Sequence, residues 1–430
     1  MRSVKSIQWA YNLVLFLFWL ATALPLALSI LLYQARGITL FEIGLAMAVY
    51  SATIVLLEVP TGGLADAVGR KRVTLLAYGL MALTGVIHLF TFTFPLLVVG
   101  WALYGVSRAL ASGALEAGFG VALQASDPEI DLQPALAKAG TVSLLALGMG
   151  TLAGSAIPQL FAGLPADGTA VLTPLAMPVL VSLVLKLILM GVVTTAVHEK
   201  QPEGAENSWR GGFRQMPLIL RDAVQLSRRN STIGLLLATT AAGGLAMVAL
   251  ETFWQPRFAT LLGGAAENSL YFGVLMAASF GVGMAGNMAA TPLTRWLRQR
   301  YALVAALAQG LFGLSLLVLA GQTAVPLAAL FFWLTYFNMG LINSPHATLI
   351  NREIPAARRS AMLSVQSLAG YAGAMLGSIL LGYLAEQQSI SAAWMVAGLV
   401  VVVSSGLYIL IDRRQQETRY EPENALSEVS

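Results

Sequence analysis

Five charged side chains stand in stretches otherwise apolar enough to be buried in hydrocarbon: Glu58, Arg108, Glu116, Lys186 and Glu251. An ionised group at the centre of a bilayer costs about 3 kcal/mol or more, so each is a candidate for chemistry. A buried carboxyl that gains and loses a proton can act as a proton carrier. Glu58 either does this or neutralises a cation or helix terminus on a neighbouring helix. Arg108 reads as an obligate countercharge that tunes a nearby acid. Ser112 and Glu116 follow Arg108 at steps of four, which places all three on one helical stripe, and Glu116 reads as structural. Lys186 could reach the interface if its helix is tilted. Glu251, next to Trp254 and Gln255, is positioned to meet a ligand or a proton.

Helices long enough to cross a bilayer must position these groups. Hydrophobic residues make up 57% of the chain, charged residues 11%, and mean hydropathy is +0.74. A soluble domain carries about 25% charged residues. The composition therefore gives an all-α polytopic membrane protein, and the lipid bilayer is its first partner. The net charge of +4 comes from cations in short loops rather than on one face, which excludes nucleic acid as a partner. There is no cysteine, hence no disulfide and no thiolate metal site. The apolar run from Trp9 to Leu32 is longer than the roughly 7–15 residues of a signal-peptide core, so it reads as an uncleaved first span. At about 20 apolar residues per crossing, twelve spans are expected. They are 9–33, 40–64, 73–94, 96–119, 137–162, 173–196, 231–260, 269–291, 301–320, 325–349, 361–385 and 391–411.

Cations orient the spans. Arg2, Lys5, Arg70, Lys71, Arg72, Lys138, Arg295, Arg298, Arg300, Arg352, Arg358, Arg359, Arg413 and Arg414 fall on one side, with only Arg36 and Arg257 on the other. Both termini are expected to be cytoplasmic. Residues 1–197 and 231–412 read as two six-helix bundles, 198–230 as a cytoplasmic linker and 413–430 as a cytoplasmic tail. Within the linker, Phe213 to Leu226 could form an amphipathic surface helix, although an ordinary connector is the simpler reading.

Gly63-Leu64-Ala65-Asp66-Ala67-Val68-Gly69-Arg70-Lys71-Arg72 joins spans two and three by a very short basic turn. An offset of 223 residues carries Gly63 to Gly286 and Arg72 to Arg295, but Asp66 to Ala289 and Gly69 to Pro292. The same offset carries Gly150, Gly154 and Ser155 to Gly373, Gly377 and Ser378. One offset serving two regions indicates duplication. Glycines four apart let helices approach closely.

The 63–72 stretch resembles the loop after the second helix in the major facilitator superfamily, with pattern Gly-x-Leu-Ala-Asp-x-x-Gly-Arg-Lys/Arg. Glu58-Val59-Pro60-Thr61-Gly62 and Ser112-Gly113-Ala114-Leu115-Glu116-Ala117 are similar to a bacterial drug or metabolite transporter subgroup. The resemblance implies two parallel-repeat six-helix bundles, alternating access and a gating role for Gly63, Asp66, Gly69, Arg70 and Arg72. It also implies a cavity lined by Asn12, Arg108, Gln255, Asn338, Asn343 and His346, with aromatic surface including Trp254. For His88 and His346 as lone histidines, packing is the simpler reading. Arg108 precedes Gly113 by five residues where the family pattern has four. Pro158 does not follow Gly154 directly as the antiporter signature requires. There is no phosphate loop, His-Glu-x-x-His or nucleophile elbow, so no enzyme chemistry and no cofactor are expected. The resemblance thus implies a monomeric secondary transporter of the bacterial inner membrane, proton-coupled and exporting small amphipathic molecules. Uptake of a small polar or anionic metabolite is the alternative, and a non-transporting sensor or scaffold a remoter one.

The orientation is directly testable, because no native cysteine interferes. Single cysteines at Ser208 and Ser427 should be shielded from an impermeant thiol reagent in intact cells, and one at Ala265 should label. Labelling at Ser208 reverses the orientation.

Overall fold

The protein is described from a computed structural model, covering residues 3–111, 114–197, 221, 225, 230–264, 267–354 and 359–427. Fourteen α-helices and no strand are found among these residues. Twelve helical stretches are long and apolar enough to cross a membrane. Helix α1 is Val4–Ala23, α2 Ser29–Ala35, α3 Leu40–Val68, α4 Arg70–Leu89, α5 Phe94–Ala111, α6 Ala114–Ser126, α7 Leu132–Leu160 and α8 Met177–Ala196. After the 198–229 region come α9 Ser231–Leu262, α10 Ser269–Trp296, α11 Tyr301–Gly321, α12 Val325–Glu353, α13 Arg359–Gln387 and α14 Ile390–Ser427. The amphipathic helix expected at 213–226 lies almost wholly outside the described residues.

Two boundaries differ from the sequence expectation for identifiable reasons. The first span is not one helix over 9–33. Pro25 cannot donate a hydrogen bond, and residues 24–28 form turns between α1 and α2. In the second repeat, α10 runs through Ala289 and Pro292 to Trp296, so the turn comes later than the 223-residue offset gives. That turn holds Arg298 and Gln299 in the left-handed region, at φ 54° and 64°. Its counterpart in the first repeat is Gly69, at φ 103° between α3 and α4, a conformation glycine adopts without steric cost.

The chain divides into two compact units. One comprises Met1–Leu218 with Glu251–Phe280, and the other Ile219–Leu250 with Gly281–Ser430. The second part of α9 and the first part of α10 therefore belong with the first unit. Each unit uses the duplicated glycines in the same way. A Cβ on Gly150 of α7 would lie 2.6 Å from the Leu20 carbonyl oxygen of α1. A Cβ on Gly377 of α13 would lie 2.6 Å from the Leu245 carbonyl oxygen of α9. One helical turn away in each unit, Gly154 lies against Leu24 and Gly373 against Ala241. The offset read from the sequence is thus a structural repeat of α7-on-α1 packing as α13-on-α9 packing.

Gly150→Ala and Gly377→Ala should each destabilise by about 1–3 kcal/mol, because the added methyl meets backbone that cannot move aside. Gly191→Ala, with open space around it, should leave the thermal midpoint in detergent unchanged. Equal behaviour of all three would remove the tight-packing role.

Candidate functional site

The break between α1 and α2 separates the Leu26 carbonyl from the Ile30 amide, which would be bonded partners in an unbroken helix. The Gln255 side chain bridges them: its Oε1 accepts from Ile30 N–H at 3.1 Å, and its Nε2 donates to Leu26 O at 2.9 Å. One carboxamide thus replaces one lost helical hydrogen bond from both ends. Gln255 is 2% exposed. Trp254 beside it is equally buried, with its ring 5.8 Å from Phe272 and 6.4 Å from Phe258. Trp254 is therefore a core side chain of the first unit here, and the polar capacity of Gln255 is used on backbone. Glu251, one turn back on α9, is exposed. At the start of the second turn of α10, Gly273 leaves no room for a side chain against Ser155 of α7.

A second constellation lies where α3 crosses α5. The Thr61 hydroxyl reaches the Leu57 carbonyl of its own helix at 2.8 Å and the Ala109 carbonyl of α5 at 2.9 Å. This pins the Glu58 turn to the turn that carries Arg108. Both side chains are partly buried. That bond places the turn of an acid beside the turn of a base that lies fifty residues away in the sequence. Nearby on α4, Tyr78 is buried and within electrostatic range of Arg108. Asn12 of α1 keeps its side-chain oxygen buried, with no hydrogen-bond partner among the described residues.

At the turn between α3 and α4, Gly63 and Asp66 fall in the last turns of α3, but the Asp66 side chain lies outside the described residues, as does that of Glu116 in α6. Arg70 and Arg72 occupy the first turn of α4, where the helix dipole disfavours a cation. Arg70 lies against Gly118 of α6, and Lys71 donates to the Thr194 carbonyl in the last turn of α8 at 2.7 Å. Lys71, which reads in sequence as a topology signal alone, therefore also caps a helix.

The second unit holds a different set. His346 of α12 is bonded at both ring nitrogens, to Thr240 Oγ1 of α9 at 3.2 Å and to the Tyr408 hydroxyl of α14 at 2.6 Å. Asn338 is buried and donates to Leu334 O of its own helix at 2.8 Å, while Asn343 is exposed. Asp412 of α14 is buried and ion-paired with Arg300, whose Nε donates to it at 3.2 Å.

A Major Facilitator Superfamily model matches residues 11–357 and 304–428. The chain belongs to the major facilitator superfamily. It is a transporter, not an enzyme, and a multi-pass membrane protein. Among solved structures, it is similar in fold to the nucleoside transporter NupG (15% identity, 95% of this chain and 98% of that one, TM-score 0.71). It is also similar to a POT family transporter in complex with 5-aminolevulinic acid (13% identity, 96% and 99%, TM-score 0.70). A third is the human organic anion transporter MFSD10 (16% identity, 95% and 100%, TM-score 0.60). No curated protein matches in sequence.

Within this superfamily fold, the structure gives residues already named from the sequence roles that the sequence did not reveal. Arg36, 9% exposed at the end of α2, donates to the carbonyls of His88 at 2.8 Å, Thr91 at 3.2 Å and Val171 at 3.0 Å. Its guanidinium also stacks 4.4 Å over the Phe92 ring. The Tyr33 hydroxyl reaches Nδ1 of His88 at 3.0 Å, and His88 packs 5.5 Å from Trp101. The signal for Arg36 was present in the sequence, since it is one of only two cations on its side of the charge count. The signal for Gln255 was not, because no periodicity reveals that a carboxamide faces a broken backbone.

Proposed function

We propose that this chain moves small amphipathic molecules out across the bacterial inner membrane by alternating access, driven by a proton gradient. The observation that carries the reading is the Gln255 bridge. A residue from the second half of the sequence completes the backbone of the first half's leading helix. The contact lies within one compact unit, and a state in which α9 parts from α1 there must give up two hydrogen bonds, each worth about 1 kcal/mol net. The gating role falls to Gly63, Asp66, Gly69, Arg70 and Arg72, with both termini cytoplasmic and bundles at 1–197 and 231–412. Glu58 is the proposed proton carrier and Arg108 its countercharge, supported by the Thr61–Ala109 bond that holds their helices together. Glu116 and Glu251 are the remaining acids available for coupling. Asn12, Asn343 and His346 are proposed to contribute to the ligand path. The functional unit is taken as a monomer.

The experiment is transport in proteoliposomes, using ligands selected by thermal shift of the purified chain. Glu58→Gln should abolish accumulation driven by a pH gradient while leaving energy-independent counterflow within about twofold of the native rate. Accumulation with a normal pH dependence in Glu58→Gln would make Glu58 structural, and counterflow supported only in the inward direction would favour uptake of a polar or anionic metabolite.

A further inference from the structure

Lys186 lies at the middle of its crossing. The apolar stretch runs from Pro174 to Ala196, so Lys186 is twelve residues from one end and ten from the other, about 18 and 15 Å at 1.5 Å per residue. A four-carbon stem does not bridge that distance. Nor does Lys186 face lipid. The exposed side of α8 is marked by Val184, Leu187 and Ile188. Lys186 is one turn from buried Ser182 and three residues from buried Leu189, on the opposite face. Ser182 donates to the Ala21 carbonyl of α1 at 2.5 Å, and Leu189 packs with Phe18, Tyr78 and Met81. The expectation that Lys186 snorkels to an interface therefore fails on direction as well as on distance.

Among the described residues, α1, α4, α7 and the short turn Pro174–Ala176 pack against α8, and none of them supplies a countercharge. Their ionisable residues are Lys5 and Tyr11 on α1, Arg70, Lys71, Arg72, Tyr78 and His88 on α4, and Lys138 on α7, with no aspartate or glutamate among them. His88 lies within electrostatic range of Lys186 and adds no negative charge. Among the described residues Lys186 has no hydrogen bond or ion pair, and its side chain is partly buried. A charge that is central, inward-facing and without a countercharge among the described residues is suited to receive an opposite charge brought from outside the protein.

We propose that Lys186 receives the carboxylate of a small amphipathic anion. This rests on the transport reading and deepens it by giving the cargo a negative charge.

The test uses the whole chain in nanodiscs, with its lysines reductively methylated with carbon-13. There are five lysines, Lys5, Lys71, Lys138, Lys186 and Lys200, so the NMR signals are few. The probes are acetate, benzoate and octanoate, with benzamide as the uncharged twin of benzoate. The Lys186 signal should shift saturably with benzoate or octanoate and not with benzamide. Lys186→Gln should bind the same carboxylate at least tenfold more weakly. No shift with any of the three carboxylates overturns the proposal, and so does an equal shift with benzamide. If Lys186→Gln does not fold, Lys→Arg changes at the other four positions assign the signal and the titration still decides. Because the readout is equilibrium binding, carboxylate binding without transport counts against the transport reading alone. Transport of a neutral ligand with Lys186 silent counts against the anion site alone.

Discussion

Backbone polar groups inside a membrane-crossing segment have no water to turn to, and every one left unpaired costs several kcal/mol. A proline-broken helix can exist there only if something else supplies the missing bonds. In the first unit that something is Gln255, whose carboxamide stands between Leu26 O and Ile30 N. The aromatic packing of Trp254 with Phe258 and Phe272 holds the carboxamide in place. The close approach of Gly273 to Ser155 fixes α10 beside it. The arrangement of the first unit around α1 follows from this single satisfied break.

The duplicated frame is symmetric where it needs close packing and asymmetric where it carries charge. Gly150 and Gly154 in one unit, and Gly373 and Gly377 in the other, do the same work against Leu20–Leu24 and Ala241–Leu245. The ionisable residues do not repeat. The first unit carries Glu58 and Arg108 on helices joined by the Thr61–Ala109 bond, and Lys186 has no ion pair among the described residues. The second unit builds its polar interior from neutral contacts, His346 with Thr240 and Tyr408, and Gln309 with Ser404 at 2.6 Å. Its charge pairing sits at the helix ends, where Asp412 meets Arg300. Such a division suits a protein in which one repeat handles charge and the other provides a stable counterpart.

Much of the fold was legible because hydropathy and loop cations are local signals. The span count follows from the length of apolar runs, and the duplication from glycines at a common offset, although the helices those glycines face, α1 and α9, carry no local signal. Boundaries were legible only where a residue changes the backbone rules. Pro25 breaks the first span, although the uninterrupted apolar run hides it. Pro292 does not break α10, although the aligned Gly69 ends α3. The site was less legible, since its residues meet through tertiary packing. Trp254 and Gln255 were marked as cavity surface on the strength of type and position, and they are buried. Asp412 carried no motif at all. Lys186 was visible as a charge, but its direction depends on which face of α8 is covered.

The central claim is that the Gln255 bridge belongs to one of two alternating states. It is tested most directly with a single cysteine at Ser269, a side chain buried in the first unit at the start of α10. The measurement is its rate of labelling by an impermeant thiol reagent in proteoliposomes, in the native background and with Gln255→Leu. Loss of two hydrogen bonds of about 1 kcal/mol each shifts the two-state balance by roughly tenfold or more. Labelling should therefore rise about tenfold in Gln255→Leu without loss of folded protein. An unchanged labelling rate in a folded Gln255→Leu protein would contradict the account and leave the bridge as static packing.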